Sequence, residues 1–190
     1  MTPTPVPTPR TLPVLDPDAI TAVEEHLAEH DVRLLCGTVV DPAGVVRAKS
    51  VPAARTTAFH VGGMGASPSW NVFCIDNAIA FRPGFGVVGD LRLRADLTAL
   101  RVLDGGLAWA PAEMTTQDGT PAPVCTRGLL RRAQADLADR GIAALVGAEL
   151  EFVVTERFGR PWNAYGLGPL LDLEALAHEL LAALAAAGLP

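Results

Sequence analysis

VRLLCGTVVDPAGVVRAKSV, residues 32–51, decides how the rest of the chain is read. Val32 to Val40 is rich in β-formers, Asp41-Pro42-Ala43-Gly44 is turn chemistry, and Val45 to Val51 returns as a second strand. A lone hairpin is marginal in water, so the flanking sequence must supply more strands or a helix. Upstream, Asp16-Pro17 sets an N-cap before a proline at the first helical position. Ile20, Val23 and Leu27 then share one face opposite Glu24, Glu25 and Glu29, which predicts a helix to about His30. Downstream, Thr56 to Ser69 is Gly-rich and reads as irregular, with Trp70 to Ile75 as a strand candidate. Asp90 to Arg94 alternates with Leu91 and Leu93 inward, and Leu107 to Met114 is a further strand before a tight turn at Gln117-Asp118-Gly119. The pattern is a small mixed sheet with one early helix, ending near Pro123.

Beyond that point the grammar changes. Thr126 is placed to cap a helix whose Leu129, Leu130, Ala133 and Leu137 share a face, with Gly141 as its stop. Ala143 to Thr155 reads as a strand, a loop follows with Arg157, Pro161, Gly166 and Pro169, and Asp172 opens a last helix carrying Leu173, Leu176, Leu180, Leu181 and Leu184. This sets a domain boundary near Pro121 to Cys125, with a helix-plus-sheet domain over 16–122 and a second domain begun over 123–190. Residues 1–15 carry prolines at 3, 5, 7, 9 and 13 and are expected to form a disordered, extended tail.

Composition narrows the function. The 190 residues are 49% hydrophobic and 19% charged, too apolar for a chain disordered throughout. Fifteen Lys and Arg against 21 Asp and Glu leave a net charge of −6, which argues against a nucleic-acid partner. Cys36, Cys74 and Cys125 are odd in number and widely spaced, so neither a disulfide framework nor a zinc knuckle is indicated. The opening MTPTPVPTPRTLP has no apolar core of a signal peptide, and no apolar run approaches the roughly 20 residues of a membrane helix. A soluble cytoplasmic protein is expected.

Candidate chemistry begins with a dismissal. Gly84-Phe85-Gly86-Val87-Val88-Gly89 spells GxGxxG, but that fingerprint closes a strand and opens a helix, and here Arg82-Pro83 precedes it and a strand follows. The second Gly-rich piece, Val61-Gly62-Gly63-Met64-Gly65-Ala66-Ser67-Pro68-Ser69-Trp70, is either a structural turn or a loop whose backbone closely approaches a ligand. The sharpest constellation is Gly147-Ala148-Glu149-Leu150-Glu151-Phe152. In a strand, Glu149 and Glu151 fall on one face about 7 Å apart, and two carboxylates there need water or cations. Hard ions such as Mg²⁺ or Mn²⁺ take such oxygen ligands; a solvated strand face is the other reading. His26 and His30, four apart on the first helix, read as a polar face rather than a metal clip.

These residues resemble the glutamine synthetase family, the type I branch of ATP-dependent carboxylate-amine ligases. Residues 147–152 look like its G-x-E-x-E-F strand, and Gly89-Asp90-Leu91-Arg92-Leu93 with Ala95-Asp96 looks like the segment before it. Ala108-Trp109-Ala110-Pro111, Arg127-Gly128-Leu129-Leu130 and Asn163-Ala164-Tyr165-Gly166 through Pro190 continue the likeness in order, over most of residues 31–190. The resemblance implies an α+β chain, a β-grasp N-terminal domain followed by the opening of a catalytic domain. It also implies ATP as substrate, glutamate activated as an acyl phosphate and then attacked by an amine, and Glu149 and Glu151 as contributors to Mg²⁺ or Mn²⁺ sites. Partners implied are neighbouring subunits of the same type, since the β-grasp domain closes a neighbour's active site in a ring-shaped homo-oligomer.

Two departures stand out. Ammonia-using members carry an Asp in the loop matching Met64 to Ser69, and here no acid occurs between Asp41 and Asp76. A bulkier amine, polyamine-like, is therefore expected. The family's remaining metal ligands, nucleotide contacts and phosphate-gripping arginines fall past the point matching Pro190, so the chain reads as an N-terminal fragment inactive alone. The alternative is a non-catalytic β-grasp oligomerisation or interaction module.

Overall fold

The first helix forms where its capping chemistry puts it. The Asp16 carboxylate accepts the Ala19 amide at 2.8 Å, Pro17 takes the first helical position, and α1 (Pro17–Glu29) buries Ile20 and Leu27. The computed structural model describes residues 10–81, 83, 86–149, 151, 154, 163 and 165–189. Two compact units result, Met1–Ala144 and Leu145–Pro190, and each is taken by itself.

In the first unit the hairpin pairs β1 (Leu34–Val40) with β2 (Val46–Pro52), Leu34 opposite Pro52 and Val40 opposite Val46. Asp41 secures the turn by accepting the Ala43 and Val45 amides, each at 2.9 Å. The chain then makes a short 3₁₀ turn (Ala53–Arg55), α2 (Thr56–Val61), β3 (Met64–Ala66), a second 3₁₀ turn (Pro68–Asn71), β4 (Leu91–Ala95), β5 (Arg101–Leu103) and β6 (Leu107–Thr115). The strands form one mixed sheet in the order β2-β1-β6-β4-β3, with β5 also on β6. β1 and β6 run parallel, and the other pairs are antiparallel. Pro111 sits inside β6 without breaking it. Pro111 stays in register with Thr38 of β1, while on the other edge the strand pairs with β5 through Trp109 and with β4 from Ala112, so the missing N–H falls between those two ladders.

The core is where the sheet meets α1 and α2. Leu27, Leu35, Phe59, Leu93 and Met114 are fully buried in one cluster. Gly37 lets the Phe59 ring lie against β1, since a Cβ there would come within 2.5 Å of Phe59 Cζ. The three cysteines are free thiols.

Several expectations need correction. Thr56 to Val61 is helical, not irregular, and Trp70 to Ile75 is a 3₁₀ turn running into a single Phe73–Ile79 bridge. Part of the expected disordered tail is docked: Leu12 is buried and Arg10 pairs with Asp136 and Asp139. Prolines 3 to 9 lie outside the described residues. Helix α3 (Thr126–Ala138) is capped by Cys125 Sγ on the Gly128 amide, while Thr126 Oγ1 donates to the Val40 carbonyl. That helix lies inside the first of the two compact units, which runs to Ala144.

The second unit contains α4 (Leu167–Asp172) and α5 (Glu174–Ala186), so Asp172 closes one helix instead of opening the next. Residues 143–149, 151 and 154 are not in a strand, against the expectation for Ala143 to Thr155. A strand needs a neighbour for its N–H and C=O groups, and none pairs with them among the described residues. No described residue of this unit is buried.

Candidate functional site

Three places carry the chain's chemistry. The first is the Gly-rich segment that follows α2. Gly63 has φ +70°, and a Cβ there would meet Arg94 Cγ at 2.9 Å and the Leu93 carbonyl at 3.0 Å, so this position admits glycine alone. The turn lets β3 lie along β4, Gly65 opposite Arg92. One cation from β2 holds the segment and a second holds the stretch that follows it. The Lys49 ammonium donates to the Gly65 carbonyl and stands 6.0 Å from the Trp70 ring centroid. Arg47 donates to Asp41 at 2.9 Å and to Asn77 at 2.9 Å, with its guanidinium 4.7 Å over Phe73. Burial alone pushes the Asp41 carboxyl up; the Val45 amide and Arg47 outweigh it and hold it below the usual carboxylate range.

A carboxylate does stand beside this segment, though none is near it in sequence. Asp90 Oδ1 is 3.5 Å from where a Gly65 Cβ would lie, and Oδ2 accepts from Gln117 Nε2 at 2.9 Å. Reading along the chain missed it because β3 and β4 bring Gly65 and Asp90 together across 25 residues. The only signal was the strand alternation starting at Asp90.

The second place is a buried ionic cluster joining β4, β6 and α3. Asp96 accepts from Thr98 Oγ1 at 2.5 Å and from Arg127 at 2.9 Å, with Arg131 at 3.5 Å. Glu113 accepts from Arg131 Nε at 2.6 Å, and Arg127 Nε lies 3.6 Å away. Arg94, directly opposite Glu113 in the sheet, donates to the His60 carbonyl at 2.9 Å. The buried His60 ring completes the set: the Leu15 amide donates to Nε2 at 3.0 Å, so Nδ1 carries the proton that reaches the Ala95 carbonyl at 2.8 Å. Burial pushes the Asp96 carboxyl up, but Thr98, Arg127 and Arg131 outweigh it and leave it lowered. Burial lowers the Arg94 guanidinium, with Glu113 acting against it. Every acid here has its cation, so the cluster fastens α3 to the sheet.

The third place is the Glu149 and Glu151 pair. Both are exposed in the second unit, outside any strand. Their side chains are hard oxygen donors suited to Mg²⁺ or Mn²⁺, yet two carboxylates are too few for either ion. Among the described residues no further acid or histidine gathers with them; the one group of metal-ligating side chains is His26, Glu29 and His30. Among the described residues the pair stands without the further ligands that a metal centre needs. The GxGxxG at 84–89 lies partly outside the described residues.

No helix among the described residues is long and apolar enough to cross a membrane. No family model matches the chain. It is 38% identical over 180 residues to the gamma-glutamylpolyamine synthetase GlnA3 of Streptomyces coelicolor, covering 88% of this chain and 39% of that protein. The gamma-glutamylethanolamide synthetase GlnA4 of the same organism is 40% identical over 79 residues, 40% of this chain and 17% of the relative. Among solved structures, a glutamine synthase homologue superposes with a TM-score of 0.67 at 27% identity, covering 83% of this chain and 39% of that one. The chain thus spans about two fifths of the length of the first and third of these.

Proposed function

Because this chain fits the N-terminal portion of the glutamine synthetase family, we propose that it supplies that portion of an ATP-dependent ligase joining glutamate to an organic amine. The observation that carries the reading is the ordered match to a gamma-glutamylpolyamine synthetase over 88% of the chain. In such a reaction a glutamate side-chain oxygen attacks the terminal phosphorus of ATP and ADP leaves. The amine nitrogen then attacks the acyl carbon, phosphate leaves with its electron pair, and the nitrogen loses a proton. A divalent ion supplies charge compensation for the phosphates. Glu149 and Glu151 would contribute oxygen ligands to it once further donors complete the set.

The amine we assign is larger than ammonia. Both relatives named above are synthetases of gamma-glutamyl amides of organic amines, which is what supports the assignment. Asp90, brought alongside Gly65, is the carboxylate we assign to the ammonium end of the incoming amine. We read the first unit as a β-grasp domain, on its hairpin, its following helix and its last strand parallel to the first. In the family's arrangement this domain closes a neighbouring subunit's site, and the 190 residues by themselves are insufficient for turnover.

A chimaera tests the reading. This chain replaces the corresponding segment of the Streptomyces polyamine synthetase, and phosphate release is measured with glutamate, ATP, Mg²⁺ and either a polyamine or ammonium. Polyamine-dependent release that is lost in Glu149→Ala and Glu151→Ala is the expected result. A correctly assembled chimaera equally active with ammonium contradicts the amine assignment, and one active with neither contradicts the ligase reading. Release by the purified 190 residues alone contradicts their insufficiency.

A further inference from the structure

We propose a second metal site, unrelated to the oxygen ligands above, at the C-terminal end of α1. Position 26 lies about one helical turn before positions 29 and 30, on the same side of the helix, and the three are His, Glu and His. In the structure one ligand atom from each lies within 4.8 Å of the others. All three side chains are exposed, while the opposite face buries Ile20 and Leu27 and fixes the helix.

Three further features shape the group for a metal ion. The His30 Nδ1 faces the His26 carbonyl at 2.8 Å, so it carries the proton and leaves Nε2 as the nitrogen with a lone pair to offer. The two rings are already adjacent, with centroids 4.3 Å apart. No cation pairs with Glu29 among the described residues, and the helix end itself carries partial negative charge that favours a cation. Tetrahedral bonds of roughly 2.1 Å put ligand atoms about 3.4 Å apart, so side-chain rotations close the remaining distance.

The donor set selects the ion. Two imidazoles and one carboxylate suit Zn²⁺, Ni²⁺ or Cu²⁺, whereas Mg²⁺ prefers oxygen throughout. His26-Leu27-Ala28-Glu29-His30 spells H-x-x-E-H, the order of one class of zinc hydrolases. Here the group stands on an exposed helix face, so the inference is metal binding and not hydrolysis. Three protein ligands leave a fourth position for water or a donor from another molecule.

The test uses the untagged chain and Zn²⁺ alone, in competition with a chromophoric chelator. One Zn²⁺ per chain is expected at this site, unaffected by excess Mg²⁺. His26→Ala and His30→Ala are each expected to weaken binding about tenfold or more, and Glu29→Gln to weaken it less. Far-UV circular dichroism checks that the variants keep the fold, as exposed substitutions permit. The site is overturned if the chain does not compete for Zn²⁺, if the His26→Ala/His30→Ala double variant keeps the parental affinity, or if Mg²⁺ displaces the ion.

Discussion

In the unit that ends at Ala144, Leu27, Leu35 and Leu93 are at most 1% exposed, whereas beyond it Leu167, Leu170, Leu171 and Leu181 are 61–67% exposed. Both units are leucine-rich, but among the described residues strands occur only in the first. The second holds α4 and α5, and α5 is apolar on nearly all sides, a pattern of helices that are surrounded. The difference teaches that an apolar segment gains its burial from its neighbours. On the proposed reading, the neighbours of this unit belong to the length that the relatives have and this chain does not span.

The comparison can be broken where the first unit is tightest. Glu113→Ala strips Arg131 of a buried partner at 2.6 Å and is expected to cost about 3–5 kcal/mol in urea unfolding. A change below about 1 kcal/mol there means that the ionic cluster does not hold α3. Leu93→Ala, in the same unit, is expected to cost about 3 kcal/mol through lost burial and the cavity left behind. Gly37→Ala drives a methyl into the Phe59 ring, for roughly 1–3 kcal/mol, and Phe59→Leu in that background is expected to recover part of it.

Acid sharpens the same contrast. The Asp96 and Asp41 carboxyls are both lowered in the folded chain, so the unfolded chain binds their protons first. Their stabilisation is complete above the ordinary carboxylate value of about 3.9 and disappears as pH falls below it through the folded values. Urea midpoints of the first unit followed from pH 6 to pH 3 are expected to drop in the last part of that range, and less so in Asp96→Asn. The smallest effect belongs to the second unit: Leu181→Ser on α5 is expected to change stability by no more than about 0.5 kcal/mol.

Legibility followed the range of the interactions involved. Asp16-Pro17, the Asp41-Gly44 turn and the runs at 34–40, 46–52, 91–95 and 107–115 are local signals, and the elements formed within a residue or two of where they were expected. The misses came from contacts distant in sequence. Helix α2 was hidden by the glycines after it. Cys125 displaced Thr126 as cap because its sulfur also meets the Met114 amide at 3.2 Å. Asp90 came to the Gly-rich segment through strand pairing, and Arg94 is buried on an alternating strand because Glu113 stands opposite it. Glu149 and Glu151 were legible as residue types, but a strand there needs a partner that sequence periodicity does not supply.

Amide hydrogen exchange on the intact chain compares the two units most directly. Amides of β1, β4 and β6 are expected to exchange only through unfolding of the whole first unit, and those of α5 to exchange orders of magnitude faster. Protection in α5 equal to that in β6 would contradict the account, because it would mean that the second unit is already as well covered as the first.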